Sequence, residues 1–489
     1  MLEKLAKQTA IYGISTIIGR FLSYLLTPYY TRVFGQADYG IITDIYALIP
    51  FALVVLTMGM ESGYFRFAAK ADAAGGDVRA AKKRLFSTVW GITSLAAVAF
   101  FAAVAALREP IARAMGEAYV AHPEFVVLVG AIVMFDVASC IPFSRLREQG
   151  RAGRFVTLKM LNIVLQTGLA FAFGAMGLFA TEFGVGWAFV ANLAASVITF
   201  ASILPTTNRT VPKIDWLLLA TVFSYSLPLL VSGVAGTANE FIDRQMIKYL
   251  VPENAMAQLG IYGAITKIAV VMMLFTQMYR LAAEPFFLAN YRKDDFKSMN
   301  AAALKYYIIA SMLIFLGIAL FKDLFALIVG RDFRQGIFIL PVVLGANVLS
   351  GVWLNLSFWY KREERTWLAI AVTFVGLIFT VLCNVALVPK YGYYGAAWAR
   401  LASEAAMVAV SYWLNRRYYP TPYPMARIVE YVAVALVVYA LSVAGERTID
   451  AVGVQYVLNV VLVGSYALYV VRREKIDVVA MVRSILRRG

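Results

Sequence analysis

The sequence has very few of the residues that build metal centres and disulfide frameworks. In 489 residues it holds two cysteines, Cys140 and Cys383, and one histidine, His122. Both cysteines stand inside apolar runs, where they read as small buried hydrophobes and not as a disulfide or a metal site. His122 opens an apolar run and reads as a helix-end residue. Charge is scarce too. Asp, Glu, Lys and Arg make up 15% of the chain, against about 25% in soluble domains. A Walker-type phosphate loop is absent from the sequence, so ATP is not the evident energy source. Long polar loops are also missing. The longest connections, around Ala71–Lys83 and Arg108–His122, are too short for a soluble domain and read as interfacial segments or coil.

Apolar residues fill the space these absences leave. They account for 61% of the chain, and the mean hydropathy is +0.72. The runs are about 20 residues long, as helices that cross a bilayer require. A membrane barrel would instead show ten-residue alternation. The net charge of +16 does not point to nucleic acid, because the basic residues sit in short loops between apolar runs, as the positive-inside rule requires. Arg20 interrupts the first run and no small-residue cleavage site follows, so this run reads as a retained span. The fold class is therefore an all-α polytopic membrane protein.

The pattern predicts fourteen helices, at about 8–34, 39–66, 83–107, 123–147, 153–178, 184–205, 215–247, 256–285, 300–321, 335–360, 366–388, 394–415, 426–444 and 453–471. Loops rich in Lys and Arg alternate with sparse ones, which predicts both termini on the cytoplasmic side. Two repeats organise the chain. Tyr39-Gly40-Ile41-Ile42-Thr43-Asp44-Ile45 is echoed by Tyr262-Gly263-Ala264-Ile265-Thr266-Lys267-Ile268, with five of seven positions identical. Phe183-Gly184-Val185-Gly186-Trp187-Ala188 resembles Tyr394-Gly395-Ala396-Ala397-Trp398-Ala399. The expected architecture is two parallel-repeat six-helix lobes, 1–210 and 211–420, followed by two extra helices and a basic tail over 421–489.

Ionisable residues at membrane depth are the candidate functional groups: Arg20, Asp44, Asp136, Lys159, Glu240, Asp243, Lys267, Arg400 and Glu404. Each costs roughly 2.5–3.5 kcal/mol at the bilayer centre on insertion scales, so they should face one another or a polar cavity. Arg400 and Glu404, and Glu240 and Arg244, have the four-residue spacing of a helical ion pair. Arg20 has no acid three or four residues away on its own helix. It is a candidate ligand contact, or half of a pair with another helix. Asp44 and Lys267 occupy matching positions of the repeat. They read as a bridge between lobes or as two separate structural residues. Arg20, Lys159 and Arg400 are the candidate phosphate-binding cations. Asp44, Lys267, Asp136, Glu240 and Glu404 are the candidate gate or ion-coupling groups. No residue set suggests catalysis or a bound metal.

Pro28-x-x-Thr31-Arg32 followed by Asp38-Tyr39-Gly40 resembles the first hairpin of the polysaccharide transporter family, and Lys390-Tyr391-Gly392-x-x-Gly395-Ala396-Ala397 is similar to its element before the twelfth helix. That family belongs to the multidrug/oligosaccharidyl-lipid/polysaccharide exporter superfamily. The resemblance implies a flippase and not an enzyme. It would move a polyprenyl-pyrophosphate-linked oligosaccharide from the cytoplasmic to the outer leaflet of a bacterial cytoplasmic membrane by alternating access, for cell-surface polysaccharide assembly. It also implies no cofactor, with coupling to a proton or sodium gradient or to the membrane potential. The partners implied are the lipid-linked glycan, membrane lipids and glycan-assembly proteins, with no nucleic acid. A lipid II flippase and a multidrug exporter share the superfamily architecture. The Arg-Asp pair of a lipid II flippase is missing, because Phe21 follows Arg20. A membrane-embedded polysaccharide polymerase or ligase would be expected to carry a sizeable outer loop with clustered catalytic residues.

Overall fold

Apolar runs in a medium without water can satisfy their backbone only as helices or closed barrels. The computed structural model describes residues 24–207, 210–290, 295–363, 365 and 367–475, and every regular element among them is helical. The chain forms two compact units, Met1–Gly263 and Ala264–Gly489.

The first unit contains α1 (Leu26–Val33), α2 (Gln36–Thr57), α3 (Met60–Ala74), α4 (Val78–Ala106), the short α5 (Arg108–Met115) and α6 (Glu117–Val120), α7 (Glu124–Glu148), α8 (Ala152–Ala175), α9 (Gly186–Ile203) and α10 (Trp216–Leu250). Helix α11 (Ala255–Ile268) crosses the boundary between the units. The second unit continues with α12 (Val270–Asn290), α13 (Phe296–Ala319), α14 (Lys322–Ala326), α15 (Leu340–Leu356), α16 (Phe358–Arg362), α17 (Trp367–Tyr391), α18 (Tyr393–Tyr418), α19 (Met425–Glu446) and α20 (Val452–Glu474).

Among the described residues, eleven helical spans are long and apolar enough to cross a membrane, and a bent pair brings the number to twelve. Of the fourteen expected spans, 8–34 lies mostly outside the described residues. The expected 394–415 is present as α18, but it is not among the helices that meet the length-and-hydropathy criterion.

Breaks divide three of the expected continuous spans, 39–66, 256–285 and, at Ser357 between α15 and α16, 335–360. The run 39–66 divides at Met58 and Gly59, both left-handed with φ of 51° and 67°. A side chain at Gly59 would be doubly penalised. Its φ is positive, and a Cβ would lie 2.7 Å from the Ser226 carbonyl oxygen of α10. The close approach of α10 and the break of α2 from α3 therefore go together. The second break, at Ala269, bends α11 from α12 by 50°. Asn347 donates to the Ala269 carbonyl at 3.4 Å, giving an acceptor freed by the bend a partner.

Helix α2 and the start of α11, both within the first unit, pack together through glycine. A Cβ on Gly40 would stand 2.0 Å from the Met256 carbonyl oxygen, and one on Gly260 would stand 2.0 Å from that of Gln36. A Cβ on Gly263 would collide with the Thr43 side chain. Small residues admit this backbone-to-backbone contact, which replaces the hydrophobic drive that lipid does not supply.

Aromatic and aliphatic clusters hold each unit. In the first, Met60, Tyr64, Phe86, Trp90, Ile141 and Val222 join α3, α4, α7 and α10, and the Trp90 indole donates to Ala138 O at 2.9 Å. In the second, Phe287, Phe296, Phe358, Trp359, Met407 and Tyr419 form the equivalent cluster. The last two helices are fastened to α13 and the turn after it. Asn459 donates to Leu320 O at 2.6 Å, Lys322 pairs with Glu446 at 2.6 Å, and Lys305 pairs with Glu474.

Candidate functional site

Within the first unit, α2, α3, α7, α8, α9 and α10 line a cavity of about 600 Å³. Its walls follow from helix periodicity and from the break at Gly59. Past the break, α3 presents Glu61 and Ser62 to the cavity. Asp136, Ser139, Cys140, Phe143, Ser144 and Arg147 recur at three- and four-residue steps along α7 and form one face. Helix α8 adds Phe155, Lys159 and Asn162, and α9 adds Thr199. The remaining wall is apolar, from Leu53 and Val54 on α2 and Leu229, Leu230 and Gly233 on α10.

The cavity is polar where it matters for a ligand. The Lys159 ammonium lies 4.3 Å from the centre of the Phe143 ring, a cation–π contact that steadies the charge without neutralising it. Glu61 accepts a hydrogen bond from the Cys140 thiol. Asn162 donates to the Thr199 hydroxyl at 3.2 Å. Asp136 and Lys159 line the same space and form no ion pair with each other or with another described residue within 4.0 Å. Two cations, Arg147 and Lys159, thus share the cavity with two carboxylates, Glu61 and Asp136. Such a wall suits a ligand bearing both anionic and hydroxyl groups.

A polar track leaves the cavity along the first unit. Lys159, Asn162 and Gln166 share one face of α8, and Asn192, Ser196 and Thr199 share one face of α9. It ends at Tyr46, whose hydroxyl accepts from Gln166 at 3.0 Å and from Asn192 at 3.5 Å.

A second constellation surrounds Asp44 on α2, which is 1% exposed. Its Oδ2 accepts from the Lys248 ammonium and from the Tyr119 hydroxyl, each at 2.6 Å. Its Oδ1 accepts from the Gln245 side-chain amide, also at 2.6 Å. The Lys248 ammonium also lies 4.7 Å from the Tyr119 ring. Burial, and then the neighbouring Asp44 carboxylate, push the Tyr119 phenol well above its ordinary pKa, so it stays a donor. One carboxylate on α2 therefore ties α10 and α6 together.

The structure distributes the expected site residues unevenly. Lys159 and Asp136 meet in the cavity. Asp44 lies in the separate buried cluster. Arg20 is outside the described residues, and Glu240 is described only by its place on α10. Lys267 on α11 and Arg400 and Glu404 on α18 belong to the second unit. Cys140, read from sequence as a buried hydrophobe, instead lines the cavity and meets Glu61. His122 stands just before α7 as expected, with its Nδ1 2.9 Å from Glu124.

Sequence reasoning passed over Glu61, Asn162, Lys248, Gln245 and Tyr119. Glu61 carried a usable signal, since it is a carboxylate inside the expected span 39–66. Among the described residues, no three His, Cys, Asp or Glu side chains group as a metal site.

Comparison with known proteins agrees with this architecture. The profile of a family described as "Polysaccharide biosynthesis protein" matches residues 5–289. A Haloferax volcanii protein described as "Probable low-salt glycan biosynthesis flippase Agl15" is 22% identical over 287 residues, which cover 58% of this chain. The chain spans 59% of the length of that relative. Among solved structures, the lipid II flippase MurJ in an inward closed conformation superposes with a TM-score of 0.76 at 14% identity, over 96% of this chain and all of MurJ. An inward-facing multidrug resistance MATE family transporter of the MOP superfamily gives 0.67 at 15% identity, over 82% of this chain and 94% of that one. At these identities the likeness concerns the fold, that of an integral membrane protein.

Proposed function

The chain belongs to the polysaccharide biosynthesis protein family, and on that premise we propose that it is a flippase for a polyprenyl-pyrophosphate-linked oligosaccharide. The substrate moves from the cytoplasmic to the outer leaflet of a cytoplasmic membrane whose inner side holds both termini. The observation that carries this reading is the cavity in which Lys159 and Arg147 share a wall with hydroxyl, amide and carboxylate groups. Cations suit a pyrophosphate, polar side chains suit a sugar, and the wall of Leu53, Val54, Leu229 and Leu230 suits the start of a lipid chain.

In this reading the cavity serves two lobes, 1–210 and 211–420, that rock to open each side in turn, with 421–489 as an accessory pair of helices and a tail. Lys159, with Arg147, holds the pyrophosphate. Asp136 exchanges the coupling proton or sodium ion with the cavity, and Glu240, Glu404 and Lys267 complete the coupling and gating set. Asp44 acts at the gate through the pair it makes with Lys248. A buried pair of this kind has to separate or move as a unit when α2 and α10 part, which makes it a discrete latch.

The test is reconstitution into vesicles with a fluorescent lipid-linked oligosaccharide. The wild-type chain should exchange it between leaflets faster than protein-free vesicles do. Lys159→Gln should slow exchange by roughly 10-fold or more, the loss of one charge-assisted contact. Wild-type exchange no faster than in protein-free vesicles, across several glycans, refutes the reading. Exchange of organic cations in place of the glycan lipid would favour a multidrug exporter.

A further inference from the structure

The cavity carries its charges in order. On α7, Arg147 stands at the turn into α8, and Asp136 lies eleven residues earlier, about 16 Å along the helix at 1.5 Å per residue. Lys159 comes between them, against Phe143. Glu61 is held at Cys140, one turn from Asp136 and on its side of Phe143. One end of the cavity is therefore cationic and the other carboxylate-bearing, with the Asn162–Thr199 pair beside the latter.

We propose that this polarity fixes both the orientation and the class of the glycan. The pyrophosphate sits at Arg147 and Lys159, and the first sugars lie against Asn162, Glu61 and Asp136. Those two carboxylates admit neutral or amine-bearing sugars and exclude uronic acids and other anionic sugars from that end. The proposal rests on the flippase reading above and deepens it.

Charge and hydrogen bonding lead to this assignment. A pyrophosphate takes up the charge of Arg147 and Lys159, because bidentate guanidinium and point-charge ammonium are the groups that bind it. What then faces the sugar is Glu61 and Asp136. A ring hydroxyl donates to a carboxylate and accepts from the Asn162 amide, so a neutral sugar satisfies both kinds of group. An amine donates to the carboxylates more strongly. A uronate brings a third negative charge to two others at one end of the cavity, and like charges close together repel. Selectivity of this sort comes from the repulsive element as much as from the attractive one.

The experiment uses two fluorescent polyprenyl-pyrophosphate disaccharides that differ only in the first sugar, a hexose or the corresponding hexuronic acid. Binding to the purified full-length chain in detergent and leaflet exchange in vesicles are measured separately. The hexose probe should bind roughly 10-fold or more tightly than the uronate probe. Glu61→Gln and Asp136→Asn, singly and together, should lower that ratio, with the double variant bringing it close to one. The single isosteric variants keep the test decisive if the double variant does not fold. Equal binding of the two probes to the wild-type chain, or a ratio unmoved by either substitution, overturns the proposal. Selective binding without leaflet exchange overturns the flippase reading instead.

Discussion

Replacing Asp44 with leucine removes one carboxylate and leaves three donors without their acceptor. The ammonium of Lys248 is the costly one, since its side chain is 5% exposed and Asp44's is 1% exposed. Removing one partner of a buried ion pair costs about 3–5 kcal/mol, because the remaining charge stays desolvated. Tyr119 and Gln245 lose acceptors as well. Lys248→Met is milder, because both of those donors still serve Asp44.

The double substitution Asp44→Leu/Lys248→Met removes both charges and fills similar volume with apolar groups, a change that is often close to neutral. Only the unsatisfied Tyr119 and Gln245 donors remain, at about 1–3 kcal/mol. Thermal unfolding in detergent, followed by tryptophan fluorescence, reads the cycle. At about 2 °C per kcal/mol for a unit of this size, Asp44→Leu should lower the midpoint by about 6–10 °C, and the double variant should recover roughly half of that loss. A double variant no more stable than Asp44→Leu would refute the buried-pair account.

Gly40→Ala should destabilise by about 1–3 kcal/mol or more, because its Cβ meets the Met256 backbone and not a movable side-chain end. Gly236→Ala, which meets nothing within 4 Å on α10, should stabilise by up to about 1 kcal/mol, and the two midpoints measured together check the crossing. At the start of α10, the Leu218 N–H and then the Arg84 guanidinium hold Asp215 below the ordinary carboxylate range. Its stabilisation is complete above pH ~4, the unfolded value, and fades as pH falls through the lower folded value. Asp215→Asn should therefore flatten the acid limb of midpoint against pH, and an unchanged limb would exclude this contribution.

Spans were legible in the sequence because lipid leaves the backbone few choices, and long apolar runs announce themselves. The breaks were not. The one at Met58–Gly59 accompanies the approach of Ser226, 167 residues away in the chain, and an isolated glycine in a helical pattern does not reveal such a neighbour. Asp136 and Lys159 were legible for the same reason as the spans, since a charge inside an apolar run needs a polar destination. Lys248 was not. The expected helix 215–247 stops one residue short of it, whereas α10 continues to Leu250. The repeat directed attention from Asp44 to Lys267, yet equivalence in a repeat describes position within a lobe. The ammonium hydrogen-bonded to Asp44 belongs to Lys248, on a different helix.

Gly40 and Gly260 meet where α2, which carries the first copy of the repeat, packs on the start of α11, just before the second copy. In a symmetric homodimer such a patch contacts itself, and every substitution appears on both sides at once. Like charges would then arrive in pairs, and a change tolerated on one face could be forbidden by its twin. With both copies on one chain, each side varies alone. That freedom allows Asp at 44 and Lys at 267 in otherwise matching sequence. It also leaves the carboxylate free to take a partner, Lys248, from outside the seven-residue repeat. An assembly rebuilt from two identical half-chains would lose that asymmetry.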